Sequence, residues 1–360
     1  MINHTKSFQS QVIKVINNSK TLTPSDKKCK HMNMSPTASS IKGLIKLNKP
    51  EHPIRPVVNW RGAPAYKLAH LFTQKIKQMA PLPNTYNLQN TRDLIKKLED
   101  TPVLPHFALD LLDITNLYTN IPVKEIREII AKTLEKNQIE VETRHGLLNW
   151  YDAITKQNYI SNNGKILIQQ DGLAMGAPTS GKIAEFFLQS LEDTHLTHLS
   201  IKHKIARYFR YVDDILIIYD PNHTDVNNMR KDFNTTHPIM KCLAETEFNK
   251  KINYLDITIH RSPTNWVISI YRKPTFIDTI ISYSSNHPAQ HTYAAIRFLY
   301  NRLNTYNLHK SEYKEEINTI HDIMLNNGFL IHTHTHTHTT PTHRHPTTTS
   351  DRQTDSATHK

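Results

Sequence analysis

The middle of the chain alternates between strand-like and helix-like patterns of apolar residues. Residues 107–115 form an apolar run broken by two aspartates, which predicts a buried strand. After Pro122 apolar residues recur at helical spacing, and a helix is expected there. Its apolar face consists of Ile126, Ile129, Ile130 and Leu134. A second helix is predicted after residue 180, on a stripe formed by Ile183, Ala184, Phe187, Leu188 and Leu191.

A double aspartate separates two strongly apolar runs within residues 206–219. This pattern predicts a β-hairpin with Asp213 and Asp214 as its turn residues, since Asp is favoured in turns. Turn formation alone would explain the pair. Adjacent carboxylates between apolar strands, however, repel each other unless a cation neutralises them. With a third carboxylate from another strand, they would suit two Mg²⁺ ions.

Glycine is concentrated in one segment. Of the eight glycines in the chain, four lie between residues 164 and 181. Gly172 and Gly176 stand in a loop that ends with Ala177-Pro178, directly before the second predicted helix. Such a loop bends sharply or approaches another group closely. A loop that leads into a helix N-terminus suits phosphate recognition, although the same pattern is typical of an ordinary turn.

Composition excludes several classes of protein. The chain has 360 residues, of which 38% are hydrophobic, and its two cysteines cannot build a disulfide framework or a four-thiolate zinc site. No apolar run is long enough to span a bilayer, and the N-terminus lacks a secretory apolar segment. We therefore expect an intracellular protein without membrane partners. The sequence does not distinguish a nuclear from a cytoplasmic location.

The net positive charge is confined to the first part of the chain. Residues 1–100 contain 17 Lys and Arg against 5 Asp and Glu, which accounts for the whole formal charge of +12. The other 260 residues contain 27 of each sign. This asymmetry favours a phosphate-rich partner such as nucleic acid. For residues 1–40, which we predict to be basic and disordered, a solvated basic tail is an equally good interpretation.

The C-terminal end is a simple repeat. Residues 332–339 alternate His and Thr strictly, and 11 of the last 29 residues are Thr. We predict a disordered His-Thr tail over residues 331–360, without a selected function.

The motifs described above, taken in order, resemble those of reverse transcriptases. The matching blocks are Asp113 with Leu117-Tyr-Thr-Asn120, the loop Gly172–Pro178, and Tyr211-Val-Asp-Asp214. Flanking blocks narrow the resemblance to the polymerases of Penelope-like retroelements. These blocks are Leu44–Pro56 upstream, and Tyr254-Leu-Asp-Ile257, Tyr271-Arg-Lys-Pro274 and Ser285-Asn-His-Pro288 downstream. The resemblance covers residues 41–330.

The resemblance implies an α+β fold of the right-hand polymerase type. Fingers and palm would occupy residues 41–270, and a thumb-like partial domain would occupy residues 271–330. Related elements often carry a C-terminal GIY-YIG nuclease. Since Gly328 is the only glycine after Gly181, we expect no such nuclease and interpret the chain as a truncated copy.

The resemblance also implies roles for individual residues. Asp113, Asp213 and Asp214 would be catalytic and would bind two Mg²⁺ ions, for which Mn²⁺ could substitute. Asp110 is excluded as a metal ligand. It lies three residues from Asp113 along the same strand, so its side chain faces the opposite side of the sheet. Nucleotide-binding positions would be Lys46, Lys49, Arg55, Tyr118 and Gly176. Primer and template would contact Tyr211, Tyr271, Arg272 and Lys273.

The implied activity is RNA-directed DNA synthesis, with an RNA template, a DNA primer and dNTPs as partners. A second hypothesis is a catalytically inactive nucleic-acid-binding remnant of the same polymerase. Ala177 in place of the usual Ser, the absent nuclease and the repeat tail favour this second hypothesis, whereas the intact aspartates favour the first. A telomerase or an intron-type reverse transcriptase is a weaker third choice.

Overall fold

A computed structural model describes residues 2–22, 28–47 and 51–331. The helices are α1 (Ile2–Asn17), α2 (Tyr66–Met79), α3 (Thr91–Glu99), α4 (Leu117–Asn120), α5 (Val123–Lys136), α6 (Val141–Thr155), α7 (Ser180–His203), α8 (Val226–Thr235), α9 (Ala289–Thr292), α10 (Ala294–Thr305) and α11 (Lys310–Asn326). The strands are β1 (Ser39–Ile45), β2 (Ile54–Asn59), β3 (Ala108–Ile114), β4 (Tyr159–Asn162), β5 (Lys165–Ile168), β6 (Ile205–Tyr211), β7 (Asp214–Tyr219), β8 (Cys242–Thr246), β9 (Lys251–Tyr254), β10 (Ile257–Arg261) and β11 (Trp266–Ile270).

The strands form three sheets. The central sheet has the order β6-β7-β3-β8, the N-terminal sheet has the order β2-β1-β4-β5, and the small sheet has the order β11-β10-β9. All pairings are antiparallel except that of β1 with β4, which is parallel. None of the described helices combines the length and the apolar character that a membrane crossing requires.

The central sheet is buried on both faces. On one face, Leu112 and Ile114 of β3 belong to the main core, which also contains apolar residues of α5, α7 and α8. On the other face, Leu109 of β3 and Leu216 of β7 pack with Ile259 of the small sheet. Alternate side chains of a strand point to opposite faces, so a sheet covered on both sides needs the nearly continuous apolar runs seen in the sequence.

The structure confirms the predicted strand and both predicted helices as β3, α5 and α7. The predicted hairpin is also present, but its turn differs from the expectation. The residues between the strands are Val212 and Asp213, and Asp214 is already the first residue of β7. Val212 has a φ of 56°, a left-handed conformation that β-branched residues rarely adopt. The turn is therefore held in place by its surroundings rather than by its own preference.

The prediction that residues 1–40 are disordered is wrong for the part that the structure describes. Residues 2–17 form α1, which packs on α6, and Val12 and Ile16 are completely buried. Phe8 packs edge-to-face against Tyr159, with 5.6 Å between ring centroids. Phe8, Val12 and Ile16 are spaced four residues apart, but the surrounding Asn, Ser, Gln and Lys residues obscure this narrow stripe. The His-Thr repeat, residues 332–339, lies outside the described residues.

Helices α9 to α11 form a C-terminal helical unit, residues 289–326, with a small core of its own. Leu299 and Leu303 of α10 pack against Ile320 and Ile323 of α11. This unit coincides with much of the segment for which the resemblance implied a thumb.

Replacement of Ile16 by Ala tests whether α1 belongs to the core. We expect the free energy of unfolding to fall by about 2–4 kcal/mol, because a fully buried Ile side chain would leave a cavity. Ile201→Ala, at a position that is 68% exposed on α7, is the matched control and should change stability by less than about 0.5 kcal/mol. Urea unfolding of the complete chain measures both values. Equal stabilities of the two variants would contradict the packing of α1.

Candidate active site

The paired strands align four residues in one row across the central sheet. Tyr211 pairs with Asp214, Asp214 pairs with Asp113, and Asp113 pairs with Leu243. Residues directly opposite each other in an antiparallel ladder project to the same face. Asp213 lies in the adjacent turn, where its carbonyl oxygen accepts a hydrogen bond from the amide of Ile114 at 2.9 Å. The hairpin turn is thereby attached to the end of β3.

The three aspartates line a cleft of about 840 Å³ between the N-terminal, central and small sheets. Lys46, which follows β1, and Arg55 of β2 line it from the side of the N-terminal sheet. The segment after β11 contributes further side chains. Seven of the residues predicted from the sequence therefore meet in one cleft, namely Lys46, Arg55, Asp113, Asp213, Asp214, Tyr271 and Lys273.

Asp213 experiences opposing electrostatic effects in this cleft. Burial raises the pKa of its carboxyl above the ordinary value, and the negative charge of Asp113 raises the pKa further. The positive charges of Arg55 and Lys46 act in the opposite direction. A further positive charge beside Asp113 and Asp213, such as a bound cation, would relieve their repulsion. The cleft thus combines carboxylates that attract a cation with basic groups that attract an anion.

The donor set fits Mg²⁺, since carboxylate oxygens are the ligands that this ion prefers. Asp113 and Asp213 already interact electrostatically, and Asp214 lies next to them in the row. In the portion of the chain that the structure describes, no three His, Cys, Asp or Glu side chains converge into a formed cation site. The carboxylates that would hold the metal are therefore neighbours rather than an assembled cage.

Tyr118 lies beside the aspartates but does not line the cleft. It is half-buried in α4 and packs against the main core. Burial raises the pKa of its hydroxyl, and the negative charges of Asp213 and Glu185 raise it further. Its carbonyl oxygen accepts a hydrogen bond from the amide of Leu173 at 2.6 Å, which attaches the glycine loop to α4.

The glycine loop makes its close approaches to the chain's own backbone. A Cβ atom at Gly176 would lie 2.2 Å from the carbonyl oxygen of Val58, and Gly176 has a φ of 118°. At Gly172 a Cβ atom would lie equally close to the carbonyl oxygen of Thr119. The close approach seen at Gly176 is to strand β2, and its role in nucleotide binding stays a prediction. The loop joins β2 to α4 next to the cleft.

Three predicted residues remain, and each has a different position. Arg272 donates two hydrogen bonds of 2.6 Å to Glu316 of α11, so its guanidinium is engaged with the C-terminal helical unit and not with the cleft. Tyr211 is 37% exposed at the end of the aspartate row. Lys49 lies outside the described residues.

A buried ion-pair network behind the hairpin was missed by sequence reasoning. Arg210 is completely buried in β6 and donates hydrogen bonds to Glu185 and Glu192 of α7 at 2.6 to 3.2 Å. It also donates to the carbonyl oxygen of Val212 at 3.2 Å. Two signals in the sequence could have indicated this network. Arg210 stands among apolar strand residues, and Glu185 and Glu192, seven residues apart, lie on one face of a helix.

Tyr254 supports the hairpin from the other side of the central sheet. Its buried hydroxyl donates to the carbonyl oxygens of Asp214 and Phe209 at 2.9 and 3.3 Å. The sequence marked the block around Tyr254 by resemblance only, without indicating this contact.

Comparison with known proteins identifies the fold. Models of known protein families do not match the chain, and curated protein sequences do not match it either. Among solved structures, the chain is similar to telomerase from Candida albicans in complex with a fragment of telomeric RNA, at 10% identity and a TM-score of 0.55. It is also similar to the RNA-dependent RNA polymerase 3Dpol of a sicinivirus, at 14% identity and a TM-score of 0.50.

The similarity to telomerase covers 91% of this chain and 61% of the telomerase chain, and the similarity to the viral polymerase covers 90% and 67% respectively. The chain therefore spans less than two thirds of the telomerase chain that it matches. At these identities the similarity shows the fold, which is the mixed helix-and-sheet fold of right-hand polymerases.

Asp110, on the face of β3 opposite Asp113, allows a test of the sheet assignment. It is buried, and burial raises the pKa of its carboxyl from 3.8 to about 6, while the Tyr219 hydroxyl donates to it. The folded state therefore holds the proton more tightly than the unfolded state, and this contribution to stability is lost as pH rises through 6. We expect Asp110→Asn to raise the free energy of unfolding at pH 8 by about 2–3 kcal/mol.

The advantage of the Asn variant should shrink as pH falls below 6 and vanish only well below the ordinary pKa of 3.8, where Asp110 carries a proton in both states. Chemical unfolding at several pH values measures this dependence. Asp322→Asn, an exposed site on α11, is the control. Equal stabilities of wild type and Asp110→Asn at pH 8 would refute the burial of an ionised Asp110.

Proposed function

We propose that the chain is an RNA-directed DNA polymerase of retroelement origin, related to the Penelope-like elements. It would add dNTPs to the 3′-hydroxyl of a DNA primer on an RNA template. In this proposal the central sheet is the palm, the N-terminal sheet belongs to the fingers, and the C-terminal helical unit acts as a thumb. The observation that supports it best is the single cleft in which Asp113, Asp213 and Asp214 face Lys46 and Arg55.

Each group in the cleft has a chemical task in this reaction. Asp113 and Asp213 would hold two Mg²⁺ ions, with Asp214 as a supporting ligand, and the ions would stabilise negative charge on the transferred phosphoryl group. Lys46 and Arg55 would bind the triphosphate, for which the planar fork of Arg is well suited. Tyr271 and Lys273, which line the cleft from the segment after β11, would contact the primer end.

The fold alone does not separate a DNA polymerase from an RNA polymerase, since both kinds of protein share it. The distinction rests on Tyr118, which the resemblance places where reverse transcriptases have an aromatic residue. Its position next to Asp213 agrees with a role near the sugar of the incoming nucleotide. The ring would collide with a 2′-hydroxyl but leave room for a 2′-hydrogen. Ribonucleotides would therefore be disfavoured.

Primer extension on poly(rA)/oligo(dT) in Mg²⁺ tests the proposed function. The wild-type chain should incorporate dTTP, and Asp213→Asn should lower incorporation by about three orders of magnitude, because it removes the ligand charge while keeping the shape. Binding of the duplex by this variant should persist, since binding depends on basic groups elsewhere. Asp322→Asn removes a carboxylate far along the chain on α11 and serves as the matched control.

Two outcomes would contradict the proposal. An Asp213→Asn variant that polymerises within a few-fold of wild type would refute the role of the aspartates. A wild-type chain that binds the duplex but incorporates no more than Asp213→Asn would instead identify an inactive nucleic-acid-binding remnant.

Substitution of Tyr118 by Ala tests the choice of sugar. If the ring excludes the 2′-hydroxyl, incorporation of ribonucleotides relative to deoxyribonucleotides should rise by about 10²-fold, equivalent to about 2.7 kcal/mol of transition-state binding. Tyr118→Phe keeps the ring and should keep the discrimination. Single-nucleotide insertion with dTTP and UTP on the same duplex measures the ratio.

Tyr86→Ala, which removes another half-buried tyrosine ring packed on the main core, controls for a general loss of stability. It should lower the insertion of both nucleotides equally. A Tyr118→Ala variant whose ratio stays within two-fold of wild type in an active preparation would show that Tyr118 is a packing residue.

A further inference from the structure

The turn between β9 and β10 borders the cleft and is fixed to the aspartate hairpin. It consists of Leu255 and Asp256, and Leu255 has a φ of 56°. Tyr254 and Leu255 line the cleft. Because the Tyr254 hydroxyl donates to the carbonyl oxygen of Asp214 at 2.9 Å, the turn cannot move without disturbing the hairpin.

The side chain of Asp256 binds the C-terminal helical unit. The hydroxyl of Tyr306, just after α10, donates to Oδ2 of Asp256 at 2.7 Å, and Nε of Arg302 lies 3.3 Å from the same oxygen. Nη2 of Arg302 also donates to the Asp256 carbonyl oxygen at 3.0 Å. On the other carboxylate oxygen, Oδ1, Asp256 accepts a hydrogen bond from Thr91, the first residue of α3. One carboxylate therefore joins three separate elements.

The surroundings of this contact strengthen it. Arg302 is 12% exposed, and its guanidinium stacks near the rings of Phe298 and Tyr306 at 5.6 and 5.7 Å from their centroids. The Asp256 side chain is 36% exposed, so the ion pair is partly shielded from water, and a partly shielded pair is stronger than a fully exposed one. A neighbouring contact, from Asn307 to Glu99 at 2.6 Å, joins the end of α3 to the same helical unit.

We propose that Asp256 is a positioning residue that sets the C-terminal helical unit relative to the catalytic aspartates. This inference rests on the proposed function, in which that unit holds the RNA–DNA duplex over the cleft. The turn carries both connections, with Tyr254 attached to the hairpin and Asp256 attached to α10. The ion pair between Arg272 and Glu316 ties α11 to the segment after β11 and would keep the unit folded when Asp256 is changed.

Asp256→Asn in the complete chain tests this role. Asn keeps one acceptor oxygen and loses the charge that pairs with Arg302. Dissociation of a labelled RNA–DNA duplex, followed after addition of unlabelled competitor, should become about 10-fold faster, as expected for loss of one charge-assisted hydrogen bond. The number of nucleotides added per binding event should fall in proportion. The rate of the first insertion from a preformed complex should change less than about two-fold, because the cleft side chains are untouched.

Two further variants make the test decisive. Tyr306→Phe removes only the hydroxyl that donates to Asp256, so it should speed dissociation by a smaller factor. If Asp256→Asn does not fold, Tyr306→Phe replaces it as the test variant. Asp322→Asn on α11 is the matched control and should behave as wild type. Dissociation within two-fold of wild type in both Asp256→Asn and Tyr306→Phe, or a first insertion that falls as much as extension, would overturn the positioning role.

The dissociation measurement does not need catalysis. A wild-type chain that binds the duplex without incorporating nucleotides would therefore refute the proposed function, while faster dissociation from Asp256→Asn would still support the positioning role. Active wild type combined with unchanged dissociation from both variants would refute the positioning role alone.

Discussion

The antiparallel pairing of β3 with β7 places Asp113 directly opposite Asp214, and the rest of the candidate site is arranged around this pair. Like charges in directly opposite positions destabilise a sheet. The register nevertheless holds, because Leu112 is buried on one face and Leu109 and Leu216 on the other, and a shift by one residue would exchange every side chain between the faces. Burial of apolar side chains along the strands thus compensates for repulsion at their end, where the carboxylates reach the cleft.

The hairpin that carries Asp213 depends on contacts from both sides of the central sheet. Its turn contains Val212 in a left-handed conformation, which costs free energy and persists only where the surroundings impose it. Arg210 imposes it from one side by joining Val212 to the glutamates of α7, and Tyr254 holds the backbone of Asp214 from the other. A buried arginine requires such partners, since an unpaired charge in the core is strongly unfavourable. The same polar groups that satisfy each other also orient the aspartates.

Sequence patterns predicted the elements around the site well and their connections poorly. The apolar run of β3 and the helical stripes of α5 and α7 were visible because each is periodic within a few residues. Helix α1 was missed because its apolar stripe is narrow within a polar segment. The carboxylates of the cleft were identified from their unusual place between apolar runs. Arg272 was assigned to the primer duplex, whereas its partner Glu316 stands 44 residues further along the chain.

The resemblance in motif order indicated the three aspartates that line the cleft, and the alternation of side chains along β3 placed Asp110 on the other face, because strand periodicity is a local property. Long-range packing was needed for everything that depends on which elements meet. It brings Lys46 and Arg55 to the same cleft as Asp113, it turns Gly176 toward Val58, and it joins Asp256 to the C-terminal helical unit. These contacts link residues far apart in the chain, and no local pattern encodes the partner of a charged side chain or the backbone that a glycine must approach.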